Sequence, residues 1–330
     1  YPKLAFSLGF WLIFILYINI EGIFTRLNVL ITSLVMIVLV IITRRPEKIK
    51  FGNVLDSQNL FVKLEPNQTP QSSPNLPTKR NILFFCHLDS KGQKLTILSR
   101  VFAIRTWIFS MIVSIIAIIL KNAFLIQEIN LLYILGLIPI LSNLFATILI
   151  IYNRTDNSSP GAIDNASGIA CVLELLNYYY NLENRFNDHN MWFVFTGAEE
   201  TGTMGIRNLL SMFNHFDKET SVGINFDAIG QSVSLFAGIN SRRKASRFVK
   251  IFELNGKNKK VVNEFKKRVI GTHSDGCYLK KKGYRGVGYG DTSIYKFMHS
   301  INDTIDKVDI SLLKRLCELT IESIKEYCLN

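Results

Sequence analysis

Five short motifs rich in carboxylates and imidazoles punctuate this 330-residue chain in one order. They are Cys86-His87-Leu88-Asp89, Gly161-Ala162-Ile163-Asp164-Asn165, Gly197-Ala198-Glu199-Glu200, Asn225-Phe226-Asp227 and His299-Ser300-Ile301-Asn302-Asp303. Each closes a short apolar run or opens a small-residue turn, positions from which a side chain can be presented at a strand end. Two imidazoles and three carboxylates suffice to hold two zinc ions, with a fourth carboxylate left to handle protons.

Taken singly, each motif has a plainer reading. His87 and Asp89 are two apart, so on an extended strand they point the same way. A metal-bound imidazole usually donates its other N–H to a carboxylate, which Asp89 could accept; alone, the pair is an ordinary hydrogen-bonded loop. Asp164 opens the small-residue run Asn165-Ala166-Ser167-Gly168, which lets backbone approach a metal cluster, yet an aspartate at a helix start is also an N-cap. Glu199 and Glu200 follow a buried strand, and adjacent carboxylates in a cleft raise each other's pKa unless positive charge is near. A metal supplies that charge; one glutamate can coordinate while its neighbour takes a proton from water. Asp227 and His299 would be further ligands. His189, His215 and His273 lack such a setting and read as surface or structural residues.

The elements that must position these residues alternate in type. Strands are expected at Leu60–Leu64, Ile82–Cys86, Met191–Thr196, Ser221–Asp227 and Ser232–Ala237. Helices are expected at Asn165–Leu182, with Ile169, Val172, Leu173 and Leu176 on one stripe, near Met204–Phe213, and at Ile310–Tyr327. The Pro/Ser/Asn stretch Glu65–Thr78 reads as a loop. This predicts an α/β fold: a central mixed, mostly parallel sheet covered by helices on both faces, with ligands at the carboxyl ends of the strands.

Hydrophobic residues make up 48% of the chain, and they cluster. Leu4–Ile20, Asn28–Ile42, Thr106–Leu120 and Leu131–Ile151 carry few or no charges and approach the ~20 residues a membrane-spanning helix needs. Buried core helices are the alternative. The first segment lacks a basic leader and a small-residue cleavage site, and a second apolar segment follows at once, so a membrane hairpin is expected over a signal peptide. The expected organisation is a transmembrane hairpin over 1–50, a second, inserted hairpin over 101–151, and one catalytic domain assembled from 51–100 and 152–330. Lys3, Arg44, Arg45, Lys48, Lys50, Lys91, Lys94, Arg100, Arg105 and Arg154 fall on one side, against Arg26 and Lys121 on the other. Basic residues stay on the cytoplasmic side, so the catalytic portion faces the cytosol. Asn-x-Ser/Thr triplets at Asn67, Asn153, Asn157, Asn165 and Asn302 argue weakly against this.

The formal net charge is +12, much of it within residues 242–268. That stretch lacks aromatic interleaving and any nucleic-acid module, so no nucleic acid is expected; it reads as a solvated lysine-rich face or a contact with anionic lipid. The five cysteines form no C-x-x-C pair, which suits a reducing compartment.

Over residues 80–90 and 155–328 the motifs resemble the zinc-dependent aminopeptidases of metallopeptidase clan MH, the branch holding leucyl aminopeptidases, glutamate carboxypeptidase and glutaminyl cyclases. The resemblance implies two zinc ions and peptide substrates. It implies that Asp164 bridges both ions, that His87 and Asp227 complete one and Glu200 and His299 the other. Glu199 would be the general base, Asp89 the partner of His87, and the Asp164–Asn165 peptide would be cis. Ile163, Gly276 and Ser300 depart from the family's frequent residues at positions not expected to be ligands. The function so implied is a membrane-anchored di-zinc aminopeptidase. Carboxypeptidase or glutaminyl cyclase chemistry on the same site, or a non-catalytic membrane scaffold keeping the fold, are the alternatives. Oligomeric state is not legible.

Overall fold

A computed structural model describes residues 2–18, 27, 30–31, 33–34, 37–38, 56–66, 80–124, 129–183, 189–213, 216, 218–237, 247–266 and 274–329. Most of the expected second membrane segment, most of the Glu65–Thr78 loop, Arg44, Arg45, Lys48, Lys50, Arg242–Lys244, Lys267, Arg268, His215 and His273 lie outside these residues. The chain forms two compact units, one of Tyr1–Val54 with Gln93–Thr155 and one of Leu55–Gly92 with Asp156–Asn330.

In the first unit, helices α1 (Pro2–Ile18), α2 (Ile97–Phe124) and α3 (Ile129–Tyr152) pack together. Phe10, Ile13 and Ile140 form their apolar contact, and Phe6 meets Trp107 edge-on. A polar seam runs through the interior: Asn143 donates to the Trp107 carbonyl and to Ser110 Oγ, both at 2.9 Å, while Ser114 and Thr147 bond the carbonyls four residues back. Among the described residues, one stretch, Ile97–Ala117, is long and apolar enough to cross a membrane by length and composition. Lys3–Ile15 and Gly136–Tyr152 are shorter apolar stretches.

The second unit is built on a seven-stranded sheet of order β1-β5-β2-β6-β9-β7-β8. Its strands are β1 (Leu60–Leu64), β2 (Arg80–His87), β5 (His189–Thr196), β6 (Ser221–Phe226), β7 (Ser234–Ala237), β8 (Glu264–Lys266) and β9 (Arg285–Gly290). A separate two-stranded sheet pairs β3 (Gly92–Gln93) with β4 (Thr155–Asp156). The central strands β5, β2, β6 and β9 run parallel, whereas β1 and β7 pair antiparallel to their neighbours. The sheet is therefore mixed, as the alternation of elements predicts. Strand β2 is buried along nearly its whole length, so its run Ile82-Leu83-Phe84-Phe85-Cys86 serves both faces. Ile82, Phe84 and Cys86 pack under α4 (Ser167–Asn181), α6 (Arg247–Asn258) and α8 (Ile310–Leu329). Leu83 and Phe85 face the other way, toward α5 (Met204–Met212) and α7 (Asp275–Lys281).

One expectation shifts. The buried face of α4 is Cys171, Val172, Leu175 and Tyr179, while Leu173 is 49% exposed. The expected stripe counted only aliphatic residues; Cys171 and Tyr179 define the true one, which lies against both the sheet and α8. Within the basic stretch 242–268 the described residues form an amphipathic helix, α6, and the short strand β8, with Arg247, Lys250, Lys257, Lys259 and Lys260 exposed while Phe248, Val249, Ile251 and Phe252 are buried.

Candidate metal centre

The parallel strands converge on one spot. His87 is the last residue of β2, Asp227 follows β6, and Glu199 and Glu200 lie in the turn after β5. Asp164 sits in a single irregular turn, Ala162–Ala166, where Asp164 (φ −118°, ψ 86°) and Asn165 (φ −139°, ψ 39°) leave helical values. The Asp164–Asn165 peptide is cis, as the resemblance implies. His299 adopts φ +60° and Ala198 φ +53°, a left-handed region that non-glycine residues rarely enter. His299 belongs to the cluster and Ala198 adjoins it, where such conformations concentrate when the surroundings enforce them.

His87 Nε2 lies 3.1 Å from Asp164 Oδ1 and 3.5 Å from Asp227 Oδ1. His299 Nε2 lies 2.9 Å from Asp164 Oδ2 and 2.8 Å from Glu200 Oε1. Two triads result, His87/Asp164/Asp227 and Asp164/Glu200/His299, each with ligand atoms within 4.8 Å of one another. All five expected ligands thus come together, and Asp164 belongs to both groups.

The donor set fits a divalent cation. His87 Nδ1 lies 2.9 Å from the Asp89 carbonyl, which fixes its proton there and turns the Nε2 lone pair toward the carboxylates. Lone pairs then face lone pairs, and the buried oxygens Asp164 Oδ1 and Glu200 Oε1 receive no hydrogen bond from the described residues. Such an arrangement needs positive charge. Protons can supply it: although burial works against this, Asp164 and Asp227 push His87 well above 6.5, and Asp164 and Glu200 push His299 up. A metal with mixed nitrogen and oxygen preference, such as zinc, meets the same need.

The supports differ from expectation in one respect. The Asp89 carboxylate does not take the imidazole proton, lying 3.8 Å from His87 Nδ1. It accepts instead the backbone N–H groups of Glu199 (2.9 Å) and Glu200 (3.0 Å), because both of its oxygens face the head of that turn. Asp89 therefore anchors the glutamate pair, and its backbone carbonyl serves His87.

The roles of several residues here escaped the sequence reading. Asp303 is fully buried and braces the bridging turn, accepting from Ile163 N at 2.6 Å and Asp164 N at 3.4 Å. Asn165 ties that turn to the end of β6, donating to the Phe226 carbonyl and accepting from Ala228 N. Lys91, at first only one among ten basic residues, places Nζ 2.7 Å from Glu200 Oε2 and 2.9 Å from the Glu200 carbonyl. Asp275 is buried beneath the site and accepts from Thr196 Oγ1; burial, opposed by that bond, pushes its pKa up to about 7. Gly276, where the family often has histidine, packs so closely that a Cβ would lie 2.9 Å from that of Asn225. His189 is buried at the opposite end of β5, edge-on to Tyr327, away from the cluster.

Comparison with known proteins identifies the family and the fold. The model of peptidase family M28 matches residues 145–324, more than half of the chain, and the chain belongs to that family. Family membership places it in the class of M28 peptidases, and the fold agrees. His87 lies outside the matched residues and joins the cluster through the sheet. The aminopeptidase from Aneurinibacillus sp. strain AM-1 is similar in fold, with TM-score 0.51 at 15% identity over 81% of this chain and 47% of that one. A zinc aminopeptidase from Bacillus subtilis gives TM-score 0.49 at 16% identity, over 82% and 50%. The LapA aminopeptidase of Legionella pneumophila gives 0.44 at 16%, over 52% and 49%. The chain thus spans about half the length of these structures. No curated protein sequence matches it.

Proposed function

We propose that this chain is a membrane-anchored di-zinc aminopeptidase that removes N-terminal residues from peptides. The observation that carries the reading is the sharing of Asp164 between two ligand triads at the ends of parallel strands. In this reading Asp164 would be shared by both ions, with His87 and Asp227 holding one and Glu200 and His299 the other. Zinc, when bound, supplies Lewis-acid polarisation of the scissile carbonyl and lowers the pKa of water toward ~7.

Glu199 belongs to neither triad. It is 7% exposed, its Oε1 has no hydrogen-bond partner among the described residues, and burial raises its pKa well above the ordinary glutamate value. A carboxylate so placed suits proton transfer: it takes the proton of the attacking water and delivers it to the departing amine. Asp89 holds the turn that aims it, and Lys91 holds Glu200 through the oxygen that His299 does not face.

The membrane reading assigns two hairpins, four spans in all, with the catalytic unit on the cytosolic side. Support comes from the first unit, whose polar side chains Ser110, Asn143 and Thr147 turn inward while Phe109 and Ile138 are exposed. That is the pattern of helices that meet lipid.

Glu199→Gln tests the chemistry. The amide is nearly isosteric and cannot accept the proton, so hydrolysis of aminoacyl amides should fall by about 10²–10⁴-fold. Metal content should stay at two zinc ions per chain. Hydrolysis at the parent rate would refute the assignment.

A further inference from the structure

Helix α6 presents to solvent a stripe that the peptidase chemistry does not use. At 3.6 residues per turn, Arg247, Lys250, Leu254 and Lys257 fall within about 80° of one another around the axis, and all four are exposed. The opposite side holds Phe248, Val249, Ile251, Phe252 and Gly256 against the core. Leu254 is 56% exposed, so an aliphatic side chain stands in the open between cations. Lys257 Nζ lies 5.0 Å from the centroid of the Phe265 ring, and Arg247 donates to the Glu326 carbonyl at 3.1 Å. Glu253, half-buried, borders the stripe.

The charge around this stripe is largely of one sign. Residues 238–273 contain eleven lysines and arginines against two acids, Glu253 and Glu264. Glu264 pairs with Lys266, and Lys259 pairs with Glu322 of α8. Neither Lys250 nor Lys257 forms an ion pair among the described residues. The flanks 238–246 and 267–273 lie outside those residues, but their sequence holds no acid and adds Arg242, Arg243, Lys244, Lys267 and Arg268. On neighbouring α8 the exposed Glu318 and Glu322 are matched by exposed Lys314, Arg315 and Lys325, so α8 does not reverse the sign. A partner for this face must be anionic and must also accept an aliphatic side chain. An anionic bilayer does both: its headgroups take the cations and the acyl boundary takes the leucine. Nucleic acid does only the first, because Phe248 and Phe252, the rings of α6 that would stack on bases, are buried.

We propose that α6 docks on an anionic phospholipid surface, its axis along the membrane plane. Leu254 enters the boundary between headgroups and acyl chains, and Arg247, Lys250 and Lys257 lie among the headgroups. Such docking is weak by itself, each basic residue at an anionic surface contributing roughly fivefold. An anchor in the same chain keeps lipid at high effective concentration, so weak contact suffices. The inference adds to the membrane reading and is independent of the metal centre.

The test reconstitutes full-length Leu254→Trp protein with phosphatidylcholine vesicles, with and without phosphatidylserine, and reads its emission against that of the parent protein. Phosphatidylserine should shift the added emission to the blue, and high salt should reverse the shift, as screening requires. Lys250 and Lys257 are exposed, so adding Lys250→Gln/Lys257→Gln should keep the melting temperature. It should lower the ratio of docked to free helix by roughly 30-fold. Flotation separates this proposal from the anchor. A chain that floats with phosphatidylcholine alone, yet shows no shift with phosphatidylserine, is anchored without docking α6; that overturns the proposal and leaves the anchor. A chain that shows the shift but floats only with phosphatidylserine, and is released by salt, upholds the proposal and removes the anchor. A shift unchanged in the lysine variant, or one produced by single-stranded RNA and not by phosphatidylserine, would also overturn it.

Discussion

Carboxylates dominate the centre at the scale of single residues: Asp164, Glu199, Glu200, Asp227 and Asp275 stand within reach of two imidazoles. Charge of one sign at this density is tolerated only if each group is paired, protonated or metal-bound. The structure uses more than one of these means. Asp275, pushed to about 7 by burial, is substantially protonated near neutrality. Lys91 supplies fixed positive charge, being 21% exposed at its side chain while it pairs with nearly buried Glu200. Lys91 reaches both Oε2 and the carbonyl of that residue, so it sets the rotamer from which Oε1 faces His299. Groups that orient a metal ligand are worth ~10–100-fold in metal affinity or activity. Lys91→Met should therefore lose that much in kcat/KM or in zinc affinity measured against a chromophoric chelator, without loss of folded structure. Parent values in both measurements would show that the ion pair is a bystander.

At the scale of elements, the site depends on how closely the turn 162–166 and helix α4 approach the end of β6. Gly168 makes this approach possible. A Cβ there would lie 2.3 Å from Asn165 Oδ1 and 2.5 Å from the Phe226 carbonyl, inside the hydrogen bonds that join the two segments. Gly168→Ala should destabilise the fold by ~1–3 kcal/mol, the usual cost of overpacking, and should disturb Asp164 with it. The check is the denaturant midpoint together with zinc content; an unaltered midpoint would mean that the turn yields freely. This dependence was half legible in the sequence. The run Asn165-Ala166-Ser167-Gly168 announced a close approach, but not what it approaches. Strands β2, β5 and β6 were visible because continuous apolar runs leave few other readings. Strand β9 was not: in Arg285-Gly286-Val287-Gly288-Tyr289-Gly290 three glycines mask the pattern, and burial on both sides, not alternation, makes it a strand. Helix α6 was hidden by lysines and arginines around Phe248, Val249, Ile251 and Phe252, which face the core. The ligands were legible because each ends an element. Lys91, Asp275 and Asp303 act through the folded arrangement, and no spacing encodes that.

For the whole molecule, the central question is which solvent the first unit meets. A soluble helical unit buries aliphatic and aromatic side chains and exposes polar ones. Here Asn143 is fully buried, and Ser110, Ser114 and Thr147 nearly so, while Phe109 is 69% and Ile138 67% exposed. Asn143 Nδ2 and the hydroxyls bond one another or the backbone, as donors do where no water is available, while Asn143 Oδ1 and Trp107 Nε1 have no hydrogen-bond partner among the described residues. In water this arrangement would forfeit the burial of many large apolar side chains, each worth about 1.5–3 kcal/mol. In a bilayer the same surface costs nothing, and the inward seam holds the helices in register. The prediction is that the full-length chain stays with the membrane pellet after alkaline carbonate washing and enters solution only with detergent. Recovery in the carbonate supernatant would mean that protein, not lipid, covers the exposed face. In sealed vesicles with the native orientation, the ten-to-two distribution of basic residues further predicts that the catalytic unit is cleaved by protease added on the cytosolic side. Protection from that side, with cleavage from the other, would reverse the topology. It would leave the metal centre as described, because the residues that build it all belong to the second unit.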